Sequence, residues 1–160
     1  MSAVAMEISR AVAGVLAEAD GEIAGRGAVC RGSGRCCRFE EWGHRLYVTG
    51  VELVHFGEIE NRKLKIDKAS AGAGGLGVLG EFFLAEVPRG CPYQMGNLCG
   101  AREGRPLGCR VYFCEAGAQG WQSEVYERYH GQLRAIHERL GVPYRYLEWR
   151  EALREIAGGT

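Results

Sequence analysis

The sequence predicts a mainly α fold with one small β element, in which irregular cysteine-rich loops pack between N-terminal and C-terminal helices. Three observations predict it. Apolar residues recur at helical spacing early in the chain, at Val4, Ile8, Val12 and Val15 with Leu16 alongside. They do so again late, at Val125, Tyr129, Leu133, Ile136 and Leu140. All seven cysteines lie between these stripes, in stretches broken by glycine.

At 160 residues the chain is read as one unit, 1–160, large enough to bury a core without covalent help. It divides into an N-terminal helix over 2–20, a cysteine core over 30–114 and C-terminal helices over 123–156. Hydrophobic residues make up 46% and charged residues 25%, which argues against disorder. Twenty basic and 20 acidic residues cancel, so nothing favours nucleic acid or an anionic membrane as partner. Glu7 and Arg10 interrupt the apolar residues near Met1, which no basic region precedes, so a secretory signal is not expected. No run approaches the ~18 apolar residues of a spanning helix. The expected compartment is the cytoplasm, where thiols stay reduced and clustered cysteines signify metal or catalysis more than disulfide stapling. Seven is also odd, and full internal pairing would leave one thiol over.

In order along the chain, Gly21 marks the expected end of the first helix. Glycines at 25, 27, 32 and 34 exclude a regular element through the first cysteine group, and the arginines at 26, 31, 35, 38 and 45 give that region positive charge. Arginines beside thiols lower their pKa values and favour the ligand form. Leu46-Tyr-Val-Thr49 reads as a short strand, and Thr49 with Glu52 as a capping box opening a helix through Val51, Val54, His55, Glu58 and Ile59. His55 is expected to be hydrogen-bonded or partly exposed rather than a ligand. Asn61 to Gly80 reads as the least regular stretch. It holds Gly72-x-Gly74-x-x-Gly77, a formal but weak match to a dinucleotide fingerprint, because Glu81–Val87 after it reads as a strand rather than a helix. Ser123 is the expected N-cap of the long late helix, which Gly141 and Pro143 end. His130 and His137 are expected to be solvated. A last helix is expected from Tyr146 to Ile156, with Leu147, Trp149, Leu153 and Ile156 as its apolar residues.

The cysteines carry the functional signal. Cys30, Cys36 and Cys37 form one group, and Cys91, Cys99, Cys109 and Cys114 a second, held within 24 residues. All seven are candidate metal ligands. A structural zinc site commonly shows short Cys-x-x-Cys hooks that aim two sulfurs at one tetrahedral ion, and this chain has none. Wider spacing and the adjacent Cys36-Cys37 pair suit separate corners of an iron–sulfur cluster. Arg102, Arg105 and Arg110 around the second group would offset the negative charge of such a cluster. An iron–sulfur cluster is therefore the favoured cofactor and zinc the alternative.

Cys91…Cys99…Arg105-Pro106-x-x-Cys109-Arg110, with the tandem Cys36-Cys37, resembles the YkgJ-type cysteine-cluster family, described as zinc- or iron-chelating. The similarity runs from about Cys30 to Cys114. The family's first half reads Cys-x-x-Cys-x-x-Cys-Cys, and here its second thiol is Ser33. The resemblance implies a metal- or cluster-binding protein. Cys114 is the expected substitute for the thiol missing at Ser33, so Cys114→Ser should lower metal content as much as Cys109→Ser.

Three functions follow from these residues. The first is a cytosolic metal-binding protein, expected to hold a [4Fe–4S] cluster, with a redox, sensing or partner-modifying role towards a protein or small molecule. The second is a zinc-stabilised interaction module. The third is a metal-dependent enzyme, which ranks last because no nucleophile–base pair is visible in the sequence.

Overall fold

A computed structural model of the chain describes residues 2–70, 90–112, 114 and 118–157, and the side chains of these apart from 61–70, 156 and 157. In chain order come α1 (Ala3–Gly25), a 3-10 turn (Arg35–Cys37), α2 (Phe39–Trp42), β1 (Tyr47–Thr49), α3 (Gly50–Ser70), β2 (Gln94–Met95), β3 (Leu98–Cys99), α4 (Leu107–Val111), α5 (Gln119–Arg139), β4 (Tyr146–Glu148) and α6 (Trp149–Ala157). The protein is mainly α with a small β element, as its periodicities predict.

Ser2 caps α1, its Oγ accepting from the Ala5 N–H at 3.1 Å. The helix buries Ile8, Val12, Leu16, Ala19 and Ile23, while Val4 at the head of the expected stripe is exposed. It does not stop at Gly21. Ile23 extends the buried stripe by another turn, and Glu22 holds that turn through Arg26 at 2.7 Å and Arg128 of α5 at 2.7 Å. A glycine with favourable burial beyond it does not end a helix.

Helices α1, α3, α4 and α5 enclose a first core of Val12, Leu16, Val51, Leu107, Val125 and Leu133, among others. His55 is buried there and shares a hydrogen bond with Ser9 Oγ at 2.9 Å. His137, expected in solvent, is instead sealed between α5 and the start of α3. Its Nε2 accepts from the Val51 N–H at 3.4 Å, which leaves Nδ1–H to donate to the Val142 and Pro143 carbonyls at 3.2 and 3.1 Å. Helix α3 continues to Ser70, beyond the irregular start expected at Asn61, because Arg, Lys, Leu and Ala are good helix formers. Helix α5 begins at Gln119, four residues before the expected cap at Ser123, and Ala118 at its head offers no capping side chain. Its end is as expected, with Gly141 at φ 62°. The Gly72–Gly77 motif and the expected strand over Glu81–Val87 lie outside the described residues.

A second core joins Phe39, Leu46, Val48, Phe56 and Trp149 to Cys37 and Cys91. What assembles it is the antiparallel pair β1–β4, in which Val48 lies opposite Leu147. Two further backbone bonds clamp its ends, from Gly50 N to Arg145 O at 3.0 Å and from Trp149 N to Leu46 O at 2.8 Å. The last helix therefore starts at Trp149 rather than Tyr146, since Tyr146–Glu148 gains a strand partner. This register delivers the Trp149 ring beneath the cysteines. Among the described residues, no helix is long and apolar enough to cross a membrane.

The capping box ties the strand to both cores. Glu52 Oε2 accepts from the Thr49 N–H at 2.8 Å and the Thr49 hydroxyl at 2.7 Å, while its Oε1 accepts from the Leu107 N–H at 2.8 Å. One buried carboxylate thus caps α3 and fixes the start of α4, two residues before Cys109. Glu52→Ala strands two buried N–H groups and should cost roughly 3 kcal/mol in urea unfolding. Burial, opposed by these hydrogen bonds, raises the Glu52 pKa above its ordinary 4.5. The native state then holds this proton more tightly than the unfolded chain, so the stability linked to it is full below that value and is lost as pH rises through the raised one. Glu52→Gln should flatten the resulting slope in a pH series of urea melts.

Candidate metal centre

The two cysteine groups meet, through a short piece of backbone. The Cys91 N–H donates to the Cys37 carbonyl at 2.7 Å, a bond that brings residues 54 apart in sequence into contact. Such an approach requires Gly90, because a Cβ there would stand 2.6 Å from the Cys37 oxygen. Gly34, at φ 71°, is held as closely on the other side, where a Cβ would lie 2.7 Å from Gln94 Nε2 and 3.2 Å from Asn97 Cα. The first cysteine loop is thereby seated against the β2–β3 hairpin, whose two-residue turn Gly96-Asn97 has Gly96 at φ 61°.

Five thiols face one space: Cys36 and Cys37 from the 3-10 turn, Cys91, Cys99 at the end of the hairpin, and Cys109 on α4. The space between them is small, about 20 Å³, room for one atom-sized guest. Apolar and aromatic side chains, among them Phe39, Leu46, Phe56 and Trp149, wall it together with the charged Arg105. Cys36 and Cys37 sulfurs lie 3.9 Å apart. All seven cysteines are reduced thiols, with Cys37 and Cys91 buried and Cys30 and Cys114 exposed. Among the described residues, no three His, Cys, Asp or Glu side chains stand already arranged around a metal-ion position. What the thiols form instead is a close group around Cys37, with which Cys36 shares a hydrogen bond.

That arrangement sorts the protons. Hydrogen bonds with Cys36, Cys91 and Cys99 push the Cys37 thiol up, so it keeps its proton. Its neighbours are held down by the same contacts, Cys36 to about 7 and Cys99 to about 6, with Arg105 beside each and Arg102 also acting on Cys99. Cys91 is lowered by Cys37 and then by the Trp149 indole N–H, which has no nitrogen or oxygen partner of its own. Burial raises Cys109 well above its usual value, and the negative charge of Cys91, Cys99 and Cys36 adds to the effect. Three neighbouring thiols are thus shifted towards the thiolate, the form that binds metal.

The arginines divide their work differently from expectation. Arg105 and Arg102 serve the thiolates. Arg110 turns away: it is buried against Asp20 of α1 and donates to the Arg105 and Glu103 carbonyls at 2.7 Å each. It positions the loop before α4, and of the thiols it feels the charge of Cys109. Of the first group, Arg26 pairs with Glu22, Arg38 with Asn97 at 2.6 Å, and Arg35 stacks over the Trp42 ring at 3.9 Å.

Cys30 and Cys114 face an adjoining cavity that shares Cys36 and Cys99 with the first. Cys114 Sγ lies 3.2 Å from Ser33 Oγ, so the thiol expected to stand in for the one missing at position 33 does sit beside it. His55 and His137 are occupied in the first core, and none of the chain's histidines lines the five-thiol space. Trp149 and Gly90 escape sequence reasoning, because an indole in an apolar stripe and a glycine before a cysteine carry no signal of their own. Comparison with protein-family models, curated proteins and solved structures finds no match to this chain.

Gly90→Ala should force the two cysteine segments apart. We expect a loss of about 2 kcal/mol in urea unfolding, in the range of other overpacked sites, together with faster alkylation of Cys37 and Cys91. A variant with wild-type stability and reactivity would contradict the role given to this contact.

Proposed function

We propose that this chain is a metal-binding protein whose centre is held by the thiolates of Cys36, Cys37, Cys91, Cys99 and Cys109. The observation that carries the reading is the convergence of five reduced thiols, from segments far apart in sequence, on one apolar-walled space. A core made only for stability would fill that space with carbon, since buried thiols whose protons are shared and partly removed are costly without a cation. The surroundings fit thiolate ligands. Arg105 supplies positive charge, and the Trp149 N–H is a buried donor with no hydrogen-bond partner that lowers the Cys91 thiol, the kind of outer group that tunes thiolate-bound metals.

The spacing favours a single ion, zinc or iron, in the space as it stands. The 3.9 Å between Cys36 and Cys37 sulfurs is close to the edge, about 3.8 Å, of a tetrahedron with ~2.3 Å zinc–sulfur bonds. An iron–sulfur cluster, favoured by the cysteine spacing, needs the thiols to part around a larger body. A bound ion would fix the cysteine loops by coordination. Four of the five thiolates would fill a tetrahedral ion and leave no open position, which suits a structural or redox role, sensing or partner modification, better than Lewis-acid catalysis. The resemblance to the YkgJ-type family points the same way.

Anaerobic purification followed by metal and acid-labile sulfide analysis tests the reading. About one metal per chain without sulfide is expected for a single ion, a brown protein with sulfide for a cluster, and no metal would refute both. Cys37→Ser and Cys91→Ser should lose most of the bound metal, whereas Cys30→Ser and Cys114→Ser should keep it. Loss in Cys114→Ser equal to that in Cys109→Ser would instead extend the centre into the adjoining cavity.

A further inference from the structure

Two cavities meet at the thiols. The inner one is the five-thiol space, and the adjoining one is about 360 Å³, roomy enough to admit an ion with its water. Cys36, Cys99 and Arg105 line both, so together they form the boundary between them. Elsewhere the inner wall includes the buried side chains of Phe39, Leu46, Phe56 and Trp149, which give a cation nothing in exchange for its water. A divalent ion therefore has its path on the side of Cys36 and Cys99. Cys30 and Cys114 line the outer cavity as well. They are the two exposed thiols of the chain, and the five-thiol centre leaves both without a role.

On the reading that the five-thiol space holds a metal, on which this step rests, we infer that Cys30 and Cys114 form the entry site for that metal. They take a thiophilic divalent ion at the surface and pass it by ligand exchange to Cys36 and Cys99, and so inward. Each handover makes one sulfur–metal bond as another breaks, with no change of oxidation state. A thiol gives its proton to water on binding and takes one back on leaving. Two outer thiols are what the step needs. Arginines that line the cavity, Arg35 and Arg102 among them, repel a bare divalent cation but not one neutralised by two thiolates. Ser33 Oγ, 3.2 Å from Cys114 Sγ, ties that sulfur to the loop that carries Cys30. The next residue on this loop, Gly34, is packed against Gln94 and Asn97 of the hairpin that carries Cys99. The outer pair thus sets how fast the centre fills and empties, and leaves its affinity to the inner thiols.

Zinc is the probe. Reduced, metal-free protein is mixed by stopped flow with zinc held on a coloured pyridylazo chelator, and loading is read from the loss of colour. Release is read from zinc-loaded protein in excess EDTA. The double variant Cys30→Ser/Cys114→Ser should reach the wild-type zinc content about ten-fold more slowly. It should release zinc more slowly by the same factor, because an entry site changes rates and leaves the equilibrium alone. Equal rates in wild type and variant would overturn the inference while leaving the centre intact. Reduced zinc content in the variant would overturn it too, by making Cys30 or Cys114 a resident ligand. Wild-type protein that takes up no zinc would sink the metal reading itself, a failure seen in content rather than in rate. A second readout needs no variant. Capping the two exposed thiols of the zinc-loaded wild type with methyl methanethiosulfonate should slow release several-fold, and removing the caps with a phosphine should restore it. Unchanged release after capping would contradict the entry site.

Discussion

One backbone hydrogen bond holds the cysteine-bearing half of this molecule together, the 2.7 Å contact from the Cys91 N–H to the Cys37 carbonyl. It crosses from the first cysteine group to the second at a point where a glycine, Gly90, lets two main chains touch. Without it, Cys36 and Cys37 would belong to one loop and Cys91 and Cys99 to another. With it, Cys37 is set among Cys36, Cys91 and Cys99 as a shared hydrogen-bond partner, and the proton distribution across the group follows. The contact is local, but its position is set globally. Residues 37 and 91 meet because the 3-10 turn is seated on the β2–β3 hairpin and because Phe39 and Trp149 pack below.

The two cores divide the labour. The first is conventional, an apolar seam between α1, α3 and α5 whose buried polar groups are satisfied in pairs, Ser9 with His55 and His137 with the chain around it. The second is built partly of sulfur. Glu52 joins them, capping α3 with one oxygen and fixing the start of α4 with the other, so Cys109 is placed by a carboxylate in the neighbouring core. Arg110 does the complementary job from outside, tying the Gly100–Pro106 loop to Asp20 of α1. Both act on the thiols through the backbone they hold, and Arg110 also through its charge beside Cys109.

Much of this was legible in the residues. The seam of α1 and α5, the strand at Tyr47–Thr49 and the Thr49–Glu52 box all rest on local patterns, and local patterns survive folding when burial agrees with them. The misreadings share a cause. Gly21 and Tyr146 were judged by local preference, and in each case a neighbour decided otherwise: Ile23 carries the buried stripe on, and β1 gives Tyr146–Glu148 a partner; at Asn61 the good helix formers that follow were underweighted. His137 is buried for the same reason, because α3 begins against it. At the site, the seven cysteines were visible, but the division into five and two was not. That division depends on which carbonyl meets which N–H. The direction of the Trp149 N–H and the outward turn of Arg110 were equally beyond reach, since each is set by tertiary contacts that spacing does not encode.

The central claim is that sulfur alone, drawn from both cysteine groups, holds a metal. X-ray absorption at the edge of the bound metal tests it most directly. A first shell of about four sulfurs near 2.3 Å, with no nitrogen or oxygen neighbours, is the predicted result for a zinc-like ion held by thiolates. A shell dominated by nitrogen or oxygen would contradict the account, because no histidine or carboxylate among the described residues lines the five-thiol space.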